Sequence, residues 1–118
     1  MSPDQSIITD EDIRHIVGTG KPYTMVLLKN GSKRDQDSGT AAKIQQEHLR
    51  HLLTLRAKGM LLVNGPVLDD AVLKGVSIYN STNKDEIRKL VESDPAIVSG
   101  RLTYEIHSWF GIPGDVLL

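Results

Sequence analysis

The chain of 118 residues has no cysteine, few aromatic side chains (one Phe, one Trp and three Tyr) and a net charge of -1. Without cysteine, the protein forms no disulfide and has no thiolate for catalysis or metal binding. So few aromatic side chains do not provide a stacking platform for single-stranded nucleic acid. A net charge near zero also gives no attraction to a phosphate backbone. We therefore expect no nucleic-acid partner.

Long apolar runs are missing as well. No run approaches the roughly 20 residues that a membrane helix needs, and the first twelve residues are acidic and lack the apolar core of a signal peptide. We expect no membrane association and a soluble, cytoplasmic protein. The length suits one domain with its own core rather than two.

The order of the predicted elements indicates an α+β fold. Periodicity, caps and turn residues predict helices over 9–17, 40–58 and 83–93, and strands over 23–30, 60–67, 73–81 and 102–110. After the first helix the order is β-α-β-β-α-β, the ferredoxin-like split pattern. Residues 1–22 are then an N-terminal extension with one short helix, and residues 23–118 are the ferredoxin-like domain.

The same order predicts how the layers are arranged. Right-handed crossovers place both long helices on one face of a four-stranded antiparallel sheet. The opposite face is then left bare, and a second copy is the simplest cover for it in so small a domain. We therefore expect a homodimer.

Two ionisable side chains stand where apolar ones belong. His48 lies four residues after Ile44 and four before Leu52, and Asp94 lies four residues after Leu90. A buried carboxylate needs a partner because its desolvation alone costs several kcal/mol. The two long helices of the split pattern run antiparallel, so the end of the second lies beside the first half of the other. The sequence therefore predicts that Asp94 contacts His48.

This pair has a catalytic and a structural interpretation. In the first, Asp94 accepts a hydrogen bond from one imidazole nitrogen, and the other nitrogen acts as a general base toward a substrate. In the second, Asp94 caps a turn before Pro95, and His48 is a hydrogen-bonded histidine of the core. The spacing alone leaves both open.

Two other sets of residues are candidates for a site. His48 and His51 share a helix face, but no third ligand has suitable spacing, so no metal site is predicted. On the last strand, His107 and Trp109 alternate with a more apolar set. They belong either to a dimer interface, or to the lining of a pocket.

Three short motifs resemble the YciI-like (YCII-related) family. They are His48-Leu49 with Gly59 eleven residues after the histidine, Gly65-Pro66 at the end of the next strand, and Asp94-Pro95 with Gly100 before the last strand. The resemblance covers residues 23–110. It implies ferredoxin-like domains paired into a dimeric α/β barrel, with an active site built on a histidine and an aspartate. Those two residues correspond to His48 and Asp94.

The resemblance also implies a class of reaction. Related dimeric barrels include lactone isomerases, cofactor-independent oxygenases and dehalogenating lyases that act on small ring compounds. We therefore expect an enzyme without a cofactor, a lyase or isomerase that carries out elimination or isomerisation of a small cyclic or phenolic metabolite. The expected substrate contacts are Gly65, Pro66 and Trp109.

The alternative is a non-catalytic small-ligand-binding or accessory protein, again a homodimer or an oligomer of dimers. Two features depart from the family pattern. Gln45 occupies a position where members commonly have arginine, and about 20 residues precede the first strand. No residue in the chain identifies the substrate.

Overall fold

An antiparallel sheet of four strands lies at the centre of the described residues. The computed structural model describes residues 7–118, so residues 1–6 of the predicted extension lie outside the described residues. The strands are β1 (Lys21–Asn30), β2 (Leu61–Pro66), β3 (Leu73–Tyr79) and β4 (Leu102–Gly111), in the order β2-β3-β1-β4. This is the strand order of the ferredoxin-like split pattern, so the predicted α+β fold is confirmed.

In the described part of the chain, four helices accompany the sheet: α1 (Asp10–Val17), α2 (Ser38–Ala57), α3 (Lys84–Glu92) and α4 (Pro95–Val98). The first three were predicted, and the fourth was not. A proline at the first position of a helix sacrifices no helical hydrogen bond. Pro95 therefore lies after the end of α3 and also opens α4. Within residues 7–118, none of the helices has the length and apolar character to cross a bilayer.

Helix α2 begins two residues earlier than the sequence predicted. The Asp37 carboxylate accepts a hydrogen bond from the backbone N–H of Thr40 at 2.8 Å, and Asp37 is the N-cap. This hydrogen bond, with a second one from the Thr40 hydroxyl, lowers the pKa of Asp37. An aspartate at this position stabilises a helix start, so Ser38 and Gly39 belong to the helix and not to the preceding loop.

The core lies between the helices and one face of the sheet. Successive strand residues point to opposite faces of the sheet. On the face toward the helices, Val26 pairs with Ser77 and Thr24 with Tyr79, and all four are buried. The buried apolar cluster draws on both long helices and three strands, through Val26, Leu28, Leu52, Leu55, Leu61, Tyr79, Ile87 and Val91. Of the alternate β4 side chains predicted to face the core, Leu102, Tyr104 and Ile106 pack against it, whereas Ser108 and Phe110 are exposed.

The other face of the sheet lies outside this cluster. It carries Met25, Leu27 and Ile78, which are half-buried, and Trp109, which is 40% exposed. The Trp109 indole packs against Tyr23 with 6.1 Å between ring centroids and 51° between ring planes. The exposed apolar side chains of this mixed face are a surface on which another protein can pack.

Tyr79 gives the folded state a measurable dependence on alkaline pH. Burial, and secondly the negative charge of Asp94, raise the pKa of Tyr79 from 10.0 to about 12. Above pH 10 the unfolded chain loses this phenolic proton while the folded chain keeps it, so stability falls until pH 12 is reached. At pH 11 the loss from this group is about 1 kcal/mol. The free energy of unfolding in urea should fall between pH 8 and pH 11 in both proteins. The fall should be smaller in Tyr79→Phe than in the wild type, by about this amount.

The matched control is Tyr104→Phe, because the Tyr104 ring is only half-buried. The unfolding free energy that Tyr104→Phe loses between pH 8 and pH 11 should stay closer to the loss of the wild type. Equal losses for Tyr79→Phe and the wild type would show that the Tyr79 phenol is not responsible.

Candidate functional site

His48 and Asp94 meet in the interior, as the sequence predicted. His48 comes from the middle of α2, and Asp94 precedes α4, which packs against α2. The distance between His48 Nδ1 and Asp94 Oδ2 is 2.6 Å. His48 is 7% exposed and Asp94 is 2% exposed. A contact this short and this protected from water keeps the imidazole ring in one orientation.

The carboxylate of Asp94 also makes a second hydrogen bond. Its Oδ1 accepts from the backbone N–H of Ala96 at 2.9 Å, so Asp94 is the N-cap of α4 as well as the partner of His48. The catalytic and structural interpretations of Asp94 are therefore compatible, since each uses a different oxygen. Two hydrogen bonds offset the desolvation of a carboxylate that is almost fully buried.

The pairing determines which imidazole nitrogen is available for chemistry. An ionised carboxylate only accepts hydrogen bonds, so the Nδ1 of a neutral His48 carries the proton, and Nε2 carries the free lone pair. Nε2 makes no hydrogen bond to any residue within 7–118. The ring lines a cavity between α2 and the sheet. A base in this tautomer can take a proton from a molecule in the cavity.

The cavity has a volume of about 290 Å³ and a mixed lining. Its apolar walls include Leu28, Leu52 and Leu102, and its polar lining includes Gln45, Asn64 and Ser77. A cavity of about 150 Å³ holds benzene. The space beside His48 therefore accommodates a single ring with several substituents.

The loop after β1 is fastened beside this cavity by backbone contacts. The N–H of Gly31 donates to Arg101 O at 2.8 Å, and the N–H of Lys33 donates to Gly100 O at 3.0 Å. A side chain at Gly31 would place its Cβ in collision with Gly100 O, and Gly100 itself has φ +80°. These two glycines permit the close approach, which brings Arg34 to the cavity.

The predicted substrate contacts do not all lie together. Gly65 and Pro66 line the cavity. Trp109 is on the other face of the sheet against Tyr23, so the structure does not bring it to this cavity. His51, one turn beyond His48, does not join it in a metal site: within residues 7–118, no group of three His, Cys, Asp or Glu side chains could hold a metal ion.

Sequence reasoning missed several lining residues. Asn64 and Ser77 pair with each other across β2 and β3, and Ser77 belongs to the helix-facing side of the sheet. Polar residues at inward strand positions are the signal that would have found them. Arg34 was not missed in the same way: its polar loop predicts either a solvated connection, which is the default, or a lid over an anion.

Comparison with known proteins shows a solved structure with a similar fold and a family to which the chain belongs. Among solved structures, the chain is similar to 5-chloro-2-hydroxyhydroquinone dehydrochlorinase from Burkholderia phenoliruptrix AC1100, in its complex with 2,5-dihydroxybenzoquinone. The TM-score is 0.53 at 20% sequence identity, covering 72% of this chain and 92% of the other, which is a likeness of fold. No curated protein sequence matches. The profile of the YCII-related domain matches residues 24–110, which is most of the chain, and the protein therefore belongs to the YCII-related domain family.

Proposed function

We propose that the protein is an enzyme that acts on a small cyclic or phenolic compound by elimination or isomerisation, with His48 as the general base and Asp94 as the residue that orients it. One observation carries the proposal: His48 is bound through Nδ1 to a buried carboxylate at 2.6 Å, and the same imidazole lines a cavity. A positioned base of this kind contributes about 10²- to 10⁴-fold to a rate.

The chemistry needs only a proton and an electron pair to move. His48 Nε2 takes a proton from the substrate, and the electron pair left behind forms a new π bond. In an elimination, the leaving group departs with its bonding pair, so a proton and an anion are lost together. In an isomerisation, the imidazolium returns the proton to a different atom. Asp94 stabilises the imidazolium in either case, and no step requires a cofactor.

The cavity supports a substrate with one ring. Its volume of about 290 Å³ suits a substituted ring, and its polar lining offers partners for hydroxyl or carbonyl groups. Gly65 and Pro66 are the proposed contacts at the end of β2. The similar solved structure is a dehydrochlorinase of a chlorinated hydroxyhydroquinone, and this supports phenolic ring compounds as the first to be tested.

We also propose that the protein is a homodimer that pairs through the sheet face opposite the helices. Met25 and Ile78 are neighbours in the middle of this face, and Trp109 lies near its end. Burial of these side chains against a second copy would stabilise the pair by about 25 cal/mol for each Å² of apolar surface removed from water. In such a dimer, Trp109 contributes to the interface rather than to the cavity beside His48.

Two substitutions test the proposed dyad. His48→Gln keeps an N–H group that can donate to Asp94 but removes the base, and turnover should fall by at least about 100-fold. Asp94→Asn keeps an oxygen that can cap α4 but removes the charge that orients the imidazole, and turnover should fall by at least about tenfold. The assay is chloride release from 5-chloro-2-hydroxyhydroquinone, followed by a screen of related phenols and lactones.

Each variant has a matched control in the same chain. His51→Gln changes a histidine one turn further along α2, and Asp37→Asn changes the N-cap aspartate of α2. Both controls should keep wild-type turnover. Full activity in His48→Gln would contradict the proposal. Thermal stabilisation by 2,5-dihydroxybenzoquinone, with no chemical change in any screened compound, would favour the non-catalytic binding protein.

The proposed dimer is tested by Ile78→Lys, which places a charge in the middle of the interface. Sedimentation velocity should show a smaller assembly for this variant than for the wild type, because pairing would bury the ammonium group. Val98→Lys is the control, since Val98 is 72% exposed on α4. At a protein concentration of about 10 μM, a dimer with a standard-size interface is normally associated. A wild type that sediments as a monomer at this concentration would contradict the dimer.

A further inference from the structure

Helix α1 has an apolar face that stays about half exposed among the described residues. Ile13 and Val17 are 50% and 51% exposed, Ile7 and Ile8 just before the helix are more exposed still, and no residue of α1 is buried. Its start is well formed: Thr9 and Asp12 make both hydrogen bonds of a capping box. A helix of eight residues is nonetheless marginal in water without tertiary contacts. It therefore requires a surface on which to pack.

Helix α2 carries a second unoccupied apolar stripe, on the side away from the core. Leu49, Leu53 and Ala57 follow one another at intervals of four residues and line a shallow groove. Leu49 is 44% exposed and Leu53 is 54% exposed. The stripe is about 12 Å long, which is also the length of α1.

Acidic residues flank the start of α1, and arginines flank the stripe of α2, where Arg50 also pairs with Glu47 at 3.3 Å. Asp10 and Asp12 lie one turn before Ile13 and Ile16, on the two flanks of the apolar face of α1. On α2, Arg50 lies three residues before Leu53, and Arg56 lies three residues after it. Apolar contact along the stripes would therefore bring carboxylates toward guanidinium groups. Two α2 stripes packed on each other would instead bring arginines together.

We propose that α1 of one copy packs in the α2 groove of a second copy. The linker between α1 and β1 is residues 18–20, which span at most about 10 Å. The groove lies on the far side of α2, a helix about 10 Å thick that itself rests on the sheet, so α1 of the same chain does not reach it. Reciprocal exchange of α1 between two copies buries both apolar faces, through a contact other than the sheet-face pairing proposed above.

The absence of cysteine allows a clean test by disulfide trapping. The variants Ile13→Cys and Leu53→Cys are purified separately as full-length chains, one of them labelled with ¹⁵N, and are then mixed and oxidised. The mixed disulfide between labelled and unlabelled chains should form at least tenfold faster than with Glu11→Cys in place of Ile13→Cys. Glu11 is the matched control because it lies on the opposite side of α1 from Ile13.

A variant that carries both Ile13→Cys and Leu53→Cys distinguishes the occupants of the groove. Species of two or more 13.0 kDa chains that are linked from position 13 of one chain to position 53 of another support exchange between copies. An intrachain disulfide in a single chain would show that α1 folds back on its own α2, and would overturn the proposal. So would equal rates for the Glu11→Cys control, or a predominance of Leu53–Leu53 pairing. None of these readouts depends on turnover, so the proposed activity stands or fails separately.

Discussion

The buried carboxylate of Asp94 is the constraint around which this protein is organised. A carboxylate that is 2% exposed is tolerated only where hydrogen-bond donors replace the water it has lost. The fold supplies one donor from the backbone of α4 and one from the imidazole of His48. Each donor acts on a separate oxygen, so the group that begins a short helix also orients a histidine on another helix. Structure and proposed chemistry therefore depend on the same pair of contacts.

The sequence revealed this pair because helical periodicity makes exceptions visible. A histidine between Ile44 and Leu52 breaks an apolar stripe, and the topology of the split pattern places its partner nearby. The sequence did not reveal α4, because four residues are too few to show a period. It also presented capping and pairing as rival roles for Asp94, although a carboxylate has two oxygens and can serve both.

The cavity was harder to foresee than the pair. Its polar lining comes from strand positions and from Arg34 in a loop, and strand periodicity says only which side chains share a face. The alternation correctly placed His107 and Trp109 on the side opposite the apolar set of β4. It did not say that the space beside His48 opens on the helix side of the sheet. That depends on how far α2 stands from β2 and β3, a distance set by packing.

Helix α2 contributes side chains to three surfaces, and the positions of these side chains around the helix have a physical consequence. Leu52 and Leu55 belong to the core, His48 faces the cavity, and Leu49 and Leu53 form the outer stripe. Leu49 lines both the cavity and the outer groove, because it lies between the two directions on the helix. A helix packed in the groove would therefore press on a side chain that also forms the cavity wall. Assembly and ligand binding in this protein would then be coupled through one leucine, and each would change the free energy of the other by the same amount.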